Sequence, residues 1–119
     1  FLADLLISQG WIVERAVDGE DAIRRARTSA KPFDVAFIDI VMPRLGGLAA
    51  LHAIHVASPT TALVAVTGEA TSEEIKTARQ YGVATVIQKP IDRDDFIRQL
   101  PELAKSAEQL KQKTPKRDT

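Results

Sequence analysis

The hydrophobic positions of the chain follow two patterns, helical spacing and short apolar runs. Helical spacing predicts five helices. They cover residues 2–9, 19–29, 47–57, a segment from Thr71 to Gly82, and a last segment that follows Asp92. The apolar runs predict four strands, at 11–17, 34–39, 61–67 and 83–88. Asp18, the Thr71–Glu74 pair and Asp92 supply helix caps, and Gly10 and Gly82 supply helix stops.

The order of these elements predicts an α/β fold. A helix is followed by repeated strand–helix units with short connections, which is typical of a parallel sheet. The runs at 34–39 and 61–67 are apolar on both faces, as central strands covered by helices should be. In such sheets the functional site lies beyond the carboxyl ends of the strands.

Composition narrows the class of protein. The 119 residues suit one domain, and 45% of them are apolar, which is enough for a core. Sixteen basic and sixteen acidic residues cancel, so we expect no direct nucleic-acid or membrane binding. There is no cysteine and no apolar run of about 20 residues, which fits a cytoplasmic protein.

The C-terminal part predicts a boundary. We expect a domain at 1–110 and a basic polar tail or linker at 111–119, "KQKTPKRDT", which has four basic residues and one acidic residue. Pro101 is expected to interrupt the last helix or to begin a new one.

Three polar residues follow three of the predicted strands. Asp39, Thr67 and Lys89 each have an ordinary interpretation, as a turn former, a strand residue and a solvated lysine. Together they would meet at one edge of a parallel sheet. A carboxylate nucleophile, a hydroxyl donor and an ammonium group suit phosphoryl transfer, which depends on positioning and charge neutralisation.

The chain resembles the receiver domains of two-component response regulators, the CheY-like family. The matching segments are "AVDGEDAI" (16–23), "FDVAFIDIVMPRLGG" (33–47), "VAVTGEA" (64–70) and "YGVATVIQKPI" (81–91). The pattern Asp-x-x-Met-Pro-x-x-x-Gly, from Asp39 to Gly47, is fairly specific. The resemblance implies a flavodoxin-like, doubly wound parallel sheet with strand order 2-1-3-4-5.

The resemblance also implies roles for individual residues. Asp39 would accept a phosphoryl group from a sensor histidine kinase or a phosphotransfer protein and would bind Mg²⁺ together with the backbone carbonyl of Val41. Thr67 and Lys89 would hold the phosphoryl group. The loop and switch positions would be Val41, Met42, Pro43, Glu69, Val86 and Pro90, with a cis Lys89–Pro90 bond. Phosphorylation would then switch a partner or an output domain.

Two departures from the family pattern affect these expectations. The family's first strand, which ends in the acidic pair that holds Mg²⁺, is not in this chain, so we expect an N-terminally truncated domain. Residues upstream of Phe1, or a segment exchanged between two chains, would fill the position between strands 11–17 and 34–39. The second departure is Val86, which replaces a frequent aromatic residue and predicts an altered output switch.

Several functions compete at this stage. The leading hypothesis is a phosphoacceptor that catalyses only its own phosphorylation and dephosphorylation. The alternative is a pseudo-receiver, an interaction module of the same fold that is never phosphorylated. A flavodoxin-type nucleotide binder lacks support because no glycine-rich phosphate loop follows a strand. His52 and His55 lie three residues apart and predict an ordinary helix surface more than a metal site. Dimerisation stays open.

Overall fold

The computed structural model describes residues 2–40, 46–68 and 71–113. Five helices and three strands lie along these segments, and helices alternate with strands from α2 onward. Their bounds are α1 Leu2–Ser8, α2 Gly19–Thr28, β1 Val35–Asp39, α3 Gly47–Ala57, β2 Ala62–Thr67, α4 Ser72–Gln80, β3 Val83–Gln88 and α5 Arg93–Lys113. All three strands were predicted, with bounds that differ by at most one residue.

The strands form one parallel sheet in the order β1-β2-β3. β2 is the central strand of the three, and every residue of it is buried. This agrees with its continuous apolar run, since a parallel strand covered on both faces has no solvent side.

Two hydrophobic clusters lie on opposite faces of the sheet. On one face Ile38 and Leu63 pack with Leu51 and Ile54 of α3. On the other face Val64 packs with Phe96 of α5 and with other residues of α1 and α5. Successive β2 residues therefore point to different helical layers. The prediction of an α/β fold with helices on both faces is confirmed.

The helix ends carry the predicted caps. After α1, the N–H of Gly10 donates to Ile7 and the N–H of Trp11 donates to Leu6, which is a Schellman arrangement with Gly10 at φ +89°. Thr71 and Glu74 form a capping box at the start of α4. These short-range bonds explain why the helix bounds could be predicted so closely.

The predicted strand at 11–17 is wrong, because residues 11–16 have no regular secondary structure. The segment is nevertheless attached to the domain. Arg15 pairs with Asp4 of α1, Glu14 pairs with Arg25 of α2, and the Trp11 and Phe37 rings lie 6.5 Å apart. Its strand-forming sequence has no neighbouring strand to pair with in the described chain, and a strand depends on its partner more than a helix does.

The prediction for Pro101 is also wrong, since α5 continues without interruption from Arg93 to Lys113. Leu100 and Leu103 on either side of it are buried, so packing holds the helix where the proline removes one backbone bond. Residues 111–113 are therefore helical, and the boundary between domain and tail stays a prediction. Lys111 forms an ion pair with Asp34, which fixes this end of α5 near the start of β1.

The helices each bury one face against the sheet or against a neighbouring helix. Within the described segments, none of them combines the length and the apolar composition that crossing a bilayer requires.

Candidate phosphoryl-transfer site

Two of the three predicted site residues are in direct contact. Asp39 is the last residue of β1, and Lys89 directly follows β3. Lys89 Nζ donates a hydrogen bond to Asp39 Oδ2 at 2.6 Å. The Lys89 backbone N–H also donates to the carbonyl oxygen of Thr67, the last residue of β2, at 2.7 Å. The three strand ends meet as a parallel sheet requires, and the expected convergence is present.

The Asp39–Lys89 pair lies in an open crevice of about 590 Å³. The described residues that line it are Leu2, Asp39, Val66, Lys89, Pro90 and Ile91. The side chains of Asp39 and Lys89 are 32% and 47% exposed, so both are accessible to solvent. Thr67, in contrast, is only 2% exposed and is not among the described residues that line the crevice.

Gly47, at the start of α3, packs directly against the backbone at the end of β1. Its N–H donates to the Ile40 carbonyl at 3.0 Å, and a Cβ built on it would lie 2.1 Å from the Asp39 carbonyl oxygen. Only glycine allows this approach. The motif contained Gly47, but the sequence analysis assigned it no positioning role.

Some of the remaining loop and switch positions lie outside the described residues, and the others lie within them. Val41, Met42, Pro43 and Glu69 lie outside the described residues. Pro90 lines the crevice, and the Lys89–Pro90 bond is cis, as expected. Val86 is half-buried in β3 and packs against the cluster that contains Ala65 and Ala78.

The described residues do not by themselves make a magnesium site. Mg²⁺ is bound through oxygen ligands and usually through one or two carboxylates. Asp39 is the one acidic residue among the described residues that line the crevice, and Lys89 already pairs with it. No group of three metal-ligating side chains occurs in the part of the chain that the structure describes. The predicted Val41 carbonyl ligand lies outside that part.

The pKa values of three described groups, Asp21, Arg25 and Lys111, are shifted by their hydrogen-bond partners. The pKa of the Asp21 carboxyl is lowered, chiefly because the Val17 N–H donates to it and then because Arg25 and Arg24 do so. The pKa of Arg25 is raised by its hydrogen bond to Asp21, and that of Lys111 by its hydrogen bond to Asp34. These groups connect α2 and α5 to their neighbours, so we assign them to the scaffold.

Comparisons with known proteins agree with this geometry. The model of the response regulator receiver domain family matches residues 1–101. A transcription factor SKN7 of Chaetomium thermophilum is 38% identical over 88 residues, which are 74% of this chain and 12% of the relative. The chemotaxis protein CheY of Treponema pallidum is 27% identical over 105 residues, which cover 87% of this chain and 73% of that protein.

A solved structure extends the comparison to the fold. The CheY-like receiver domain protein of Methanospirillum hungatei superimposes with a TM-score of 0.83 at 24% identity, covering 90% of this chain and 84% of that one. The chain spans only about an eighth of the length of its fungal transcription-factor relative. The match that carries the assignment is the family model over residues 1–101, together with the sheet and the strand-end residues described above. The chain belongs to the response regulator receiver domain family.

Proposed function

We propose that the chain is a phosphoacceptor whose Asp39 receives a phosphoryl group from a histidine kinase or a phosphotransfer protein. Receiver domains of response regulators interact with such partners and with output domains. The observation that carries the proposal is the contact between Lys89 Nζ and Asp39 Oδ2, 2.6 Å apart in an open crevice. A carboxylate and a cation placed together and accessible to solvent have the arrangement that a phosphoryl acceptor requires.

The residues of the crevice suit a direct displacement at phosphorus. One Asp39 carboxylate oxygen attacks the phosphorus atom, while the bond from phosphorus to the donor imidazole nitrogen breaks. The imidazole leaves with its electron pair and takes up a proton, and Asp39 becomes an acyl phosphate. The Lys89 ammonium, already within hydrogen-bond distance of this carboxylate, is placed to neutralise the phosphoryl oxygens.

The role of Mg²⁺ in this proposal rests on what is known of the receiver family. Receiver domains normally bind Mg²⁺ at the phosphorylation site. In this chain Asp39 is the residue that would contribute a carboxylate oxygen, and the Val41 carbonyl stays a proposed ligand. Bound Mg²⁺ would supply charge neutralisation at the phosphoryl group.

Transmission of the signal would begin at Thr67. This residue is buried at the end of β2, and its hydroxyl is the group that we propose contacts a phosphoryl oxygen and moves with it. Val86 has no aromatic ring to reorient, and we propose that the switch does not use ring movement there. Partner binding by Thr67→Ala before and after phosphorylation tests this route, because retained switching would contradict it.

The pseudo-receiver remains the second candidate, and one observation favours it. Asp39 is the single carboxylate among the described residues that line the crevice, whereas Mg²⁺-dependent phosphoryl transfer usually uses more than one oxygen ligand from the protein.

Intact mass after incubation with Mg²⁺ and a small acyl-phosphate donor distinguishes the two candidates. We expect a gain of one phosphoryl group in the full native polypeptide, and loss of that gain in Asp39→Asn. Asp34→Asn is the matched control, because Asp34 is an exposed carboxylate at the opposite end of β1. It should leave the gain unchanged. A folded native protein that gains no mass would favour the pseudo-receiver.

A further inference from the structure

Gly68 directly follows β2 and lies beside Lys89, which directly follows β3. Thr67 is paired with Gln88 in the register of these strands, so the residues after them are the next neighbours across the sheet. The Lys89 N–H donates to the Thr67 carbonyl at 2.7 Å and closes the ladder at this point. The backbone on both sides of the contact is therefore held by the sheet.

The contact of Gly68 is with the aliphatic stem of Lys89. A Cβ built on Gly68 would lie 3.4 Å from Cβ of Lys89, 3.6 Å from its Cδ and 4.0 Å from its Cγ, which are ordinary van der Waals distances. A methyl group would therefore fit. A branch beyond the methyl group that points toward Lys89 would take the space of the stem, and the outer stem carbons would have to move.

The backbone conformation does not explain why a glycine stands at position 68. The described glycines with positive φ are Gly10 and Gly82, so Gly68 does not use the left-handed region that favours this residue. Gly68 is also exposed. Apart from its neighbours in the chain, the three atoms nearest to the added Cβ all belong to the Lys89 stem. The Lys89 stem is therefore what separates small from large residues at this position.

The direction of the stem decides where the positive charge lies. Lys89 Nζ is 2.6 Å from Asp39 Oδ2, and the lysine side chain is 47% exposed. An ammonium group on a flexible four-carbon stem has no fixed position of its own, so the groups that contact the stem set its position. A misplacement of about 1 Å in a catalytic arrangement can lower a rate about 100-fold.

We infer that Gly68 is a positioning residue for Lys89. Its small size lets the stem lie against the end of β2 and hold the ammonium group at the Asp39 carboxylate. The part of this inference that concerns phosphoryl transfer rests on the proposed function. The part that concerns the Asp39–Lys89 ion pair does not, so the two can be tested separately.

The ion pair is tested in the absence of any phosphoryl donor. Nuclear magnetic resonance of isotope-labelled protein reports the exchange of the Lys89 ammonium protons with water, which the hydrogen bond to Asp39 slows. Exchange in Gly68→Ala should equal that of the wild type, because a methyl group fits. Exchange in Gly68→Val should be several-fold faster, because valine is branched at Cβ and its methyl groups displace the stem. Ala84→Val, at an exposed position of β3, is the matched control and should change nothing.

Phosphorylation kinetics test the consequence for the reaction. With Mg²⁺ and a small acyl-phosphate donor, Gly68→Ala should react within about twofold of the wild-type rate, and Gly68→Val should react at least about 10-fold more slowly. Lys89→Met keeps the stem and removes the charge. In that background Gly68→Val should cause no further loss, because a residue that acts through Lys89 has nothing left to position.

Two results would overturn the inference. The first is wild-type ammonium exchange in a folded Gly68→Val protein, because the stem would then not have moved. The second is an equal loss of rate from Gly68→Val with and without the Lys89 charge, because the residue would then act by another route. A wild-type protein that is never phosphorylated would contradict the proposed function, and the exchange measurement would still decide whether Gly68 positions Lys89.

Discussion

At the residue scale, the site depends on one close backbone approach. Gly47 places the first turn of α3 against the end of β1, where a Cβ would lie 2.1 Å from the Asp39 carbonyl oxygen and 2.4 Å from Ile40 Cα. Neither atom can move without moving the strand end. The position of the Asp39 carboxylate therefore depends on Gly47 having no side chain.

Gly47→Ala should destabilise the domain by at least about 2 kcal/mol, because the added methyl group has no space and the backbone must shift. Gly46→Ala is the matched control. A Cβ at Gly46 has nothing within 4 Å and its φ of −62° suits any residue, so this change should stay within about 1 kcal/mol. Urea unfolding of both variants measures the difference, and equal stabilities would contradict the packing described for Gly47.

Asp21 is a buried carboxylate whose charge favours the folded state. It is 8% exposed, accepts the Val17 N–H and pairs with Arg24 and Arg25. Its pKa is lowered in the folded protein, so the ionised carboxylate favours the folded state. This contribution is complete above the ordinary carboxyl value of 3.8 and is lost as the pH falls through the lower, folded value.

Asp21→Asn should therefore lower the Tm at pH 7, and the difference from the wild type should shrink at pH values below 3.8. Thermal unfolding between neutral and acid pH measures this. Glu20→Gln, at an exposed carboxyl of the same helical turn, is the control. A deficit in Asp21→Asn that is constant with pH would show that charge is not its cause.

At the scale of elements, structure that depends on neighbouring residues in the sequence was predicted more closely than structure that depends on a distant partner. The starts of α2, α4 and α5 have side-chain N-caps from Asp18, Thr71 and Asp92, and β1, β2 and β3 have apolar runs that pair with one another, so these bounds could be predicted. Residues 11–16 have an equally strand-like sequence, but a strand needs a neighbour, which the described chain does not supply. Pro101 was wrongly expected to interrupt α5, because that expectation did not take into account the burial of Leu100 and Leu103.

The C-terminal half of α5 is part of the folded domain even though the family match ends at residue 101. The helix has 21 residues, about 32 Å at 1.5 Å per residue, whereas β2 has six residues and spans about 20 Å. It therefore reaches beyond the sheet, where Lys111 pairs with Asp34. Leu103 and Ala107 are each 3% exposed.

Leu103→Ala should lower the free energy of unfolding by about 2–5 kcal/mol, the usual cost of a buried cavity. Glu102→Ala, at an exposed position of the same turn, should change it by less than about 0.5 kcal/mol. Chemical denaturation of the two variants gives the comparison. If Leu103→Ala were as mild as its control, the second half of α5 would not be packed as described.

At the scale of the whole molecule, the parallel topology of the sheet explains why the site could be predicted before any side-chain contact was known. Three strand ends of one parallel sheet must meet at one edge, so Asp39, Thr67 and Lys89 were expected together before any distance was known. Topology could not show that Thr67 is buried while the Asp39–Lys89 pair is exposed. It also could not show the cavity of about 390 Å³ beside β1, because its size depends on how the side chains of α1 and α2 pack.

The central claim, that Asp39 is the phosphoacceptor, is tested most directly by locating the phosphoryl group. The phosphorylated native protein is reduced with borohydride, which converts an acyl phosphate of aspartate to homoserine, and its peptides are sequenced by mass spectrometry. The account predicts homoserine at position 39 and unmodified Asp34 in the same peptide. Homoserine at any other carboxylate, or at none while the intact protein carries a phosphoryl group, would contradict it.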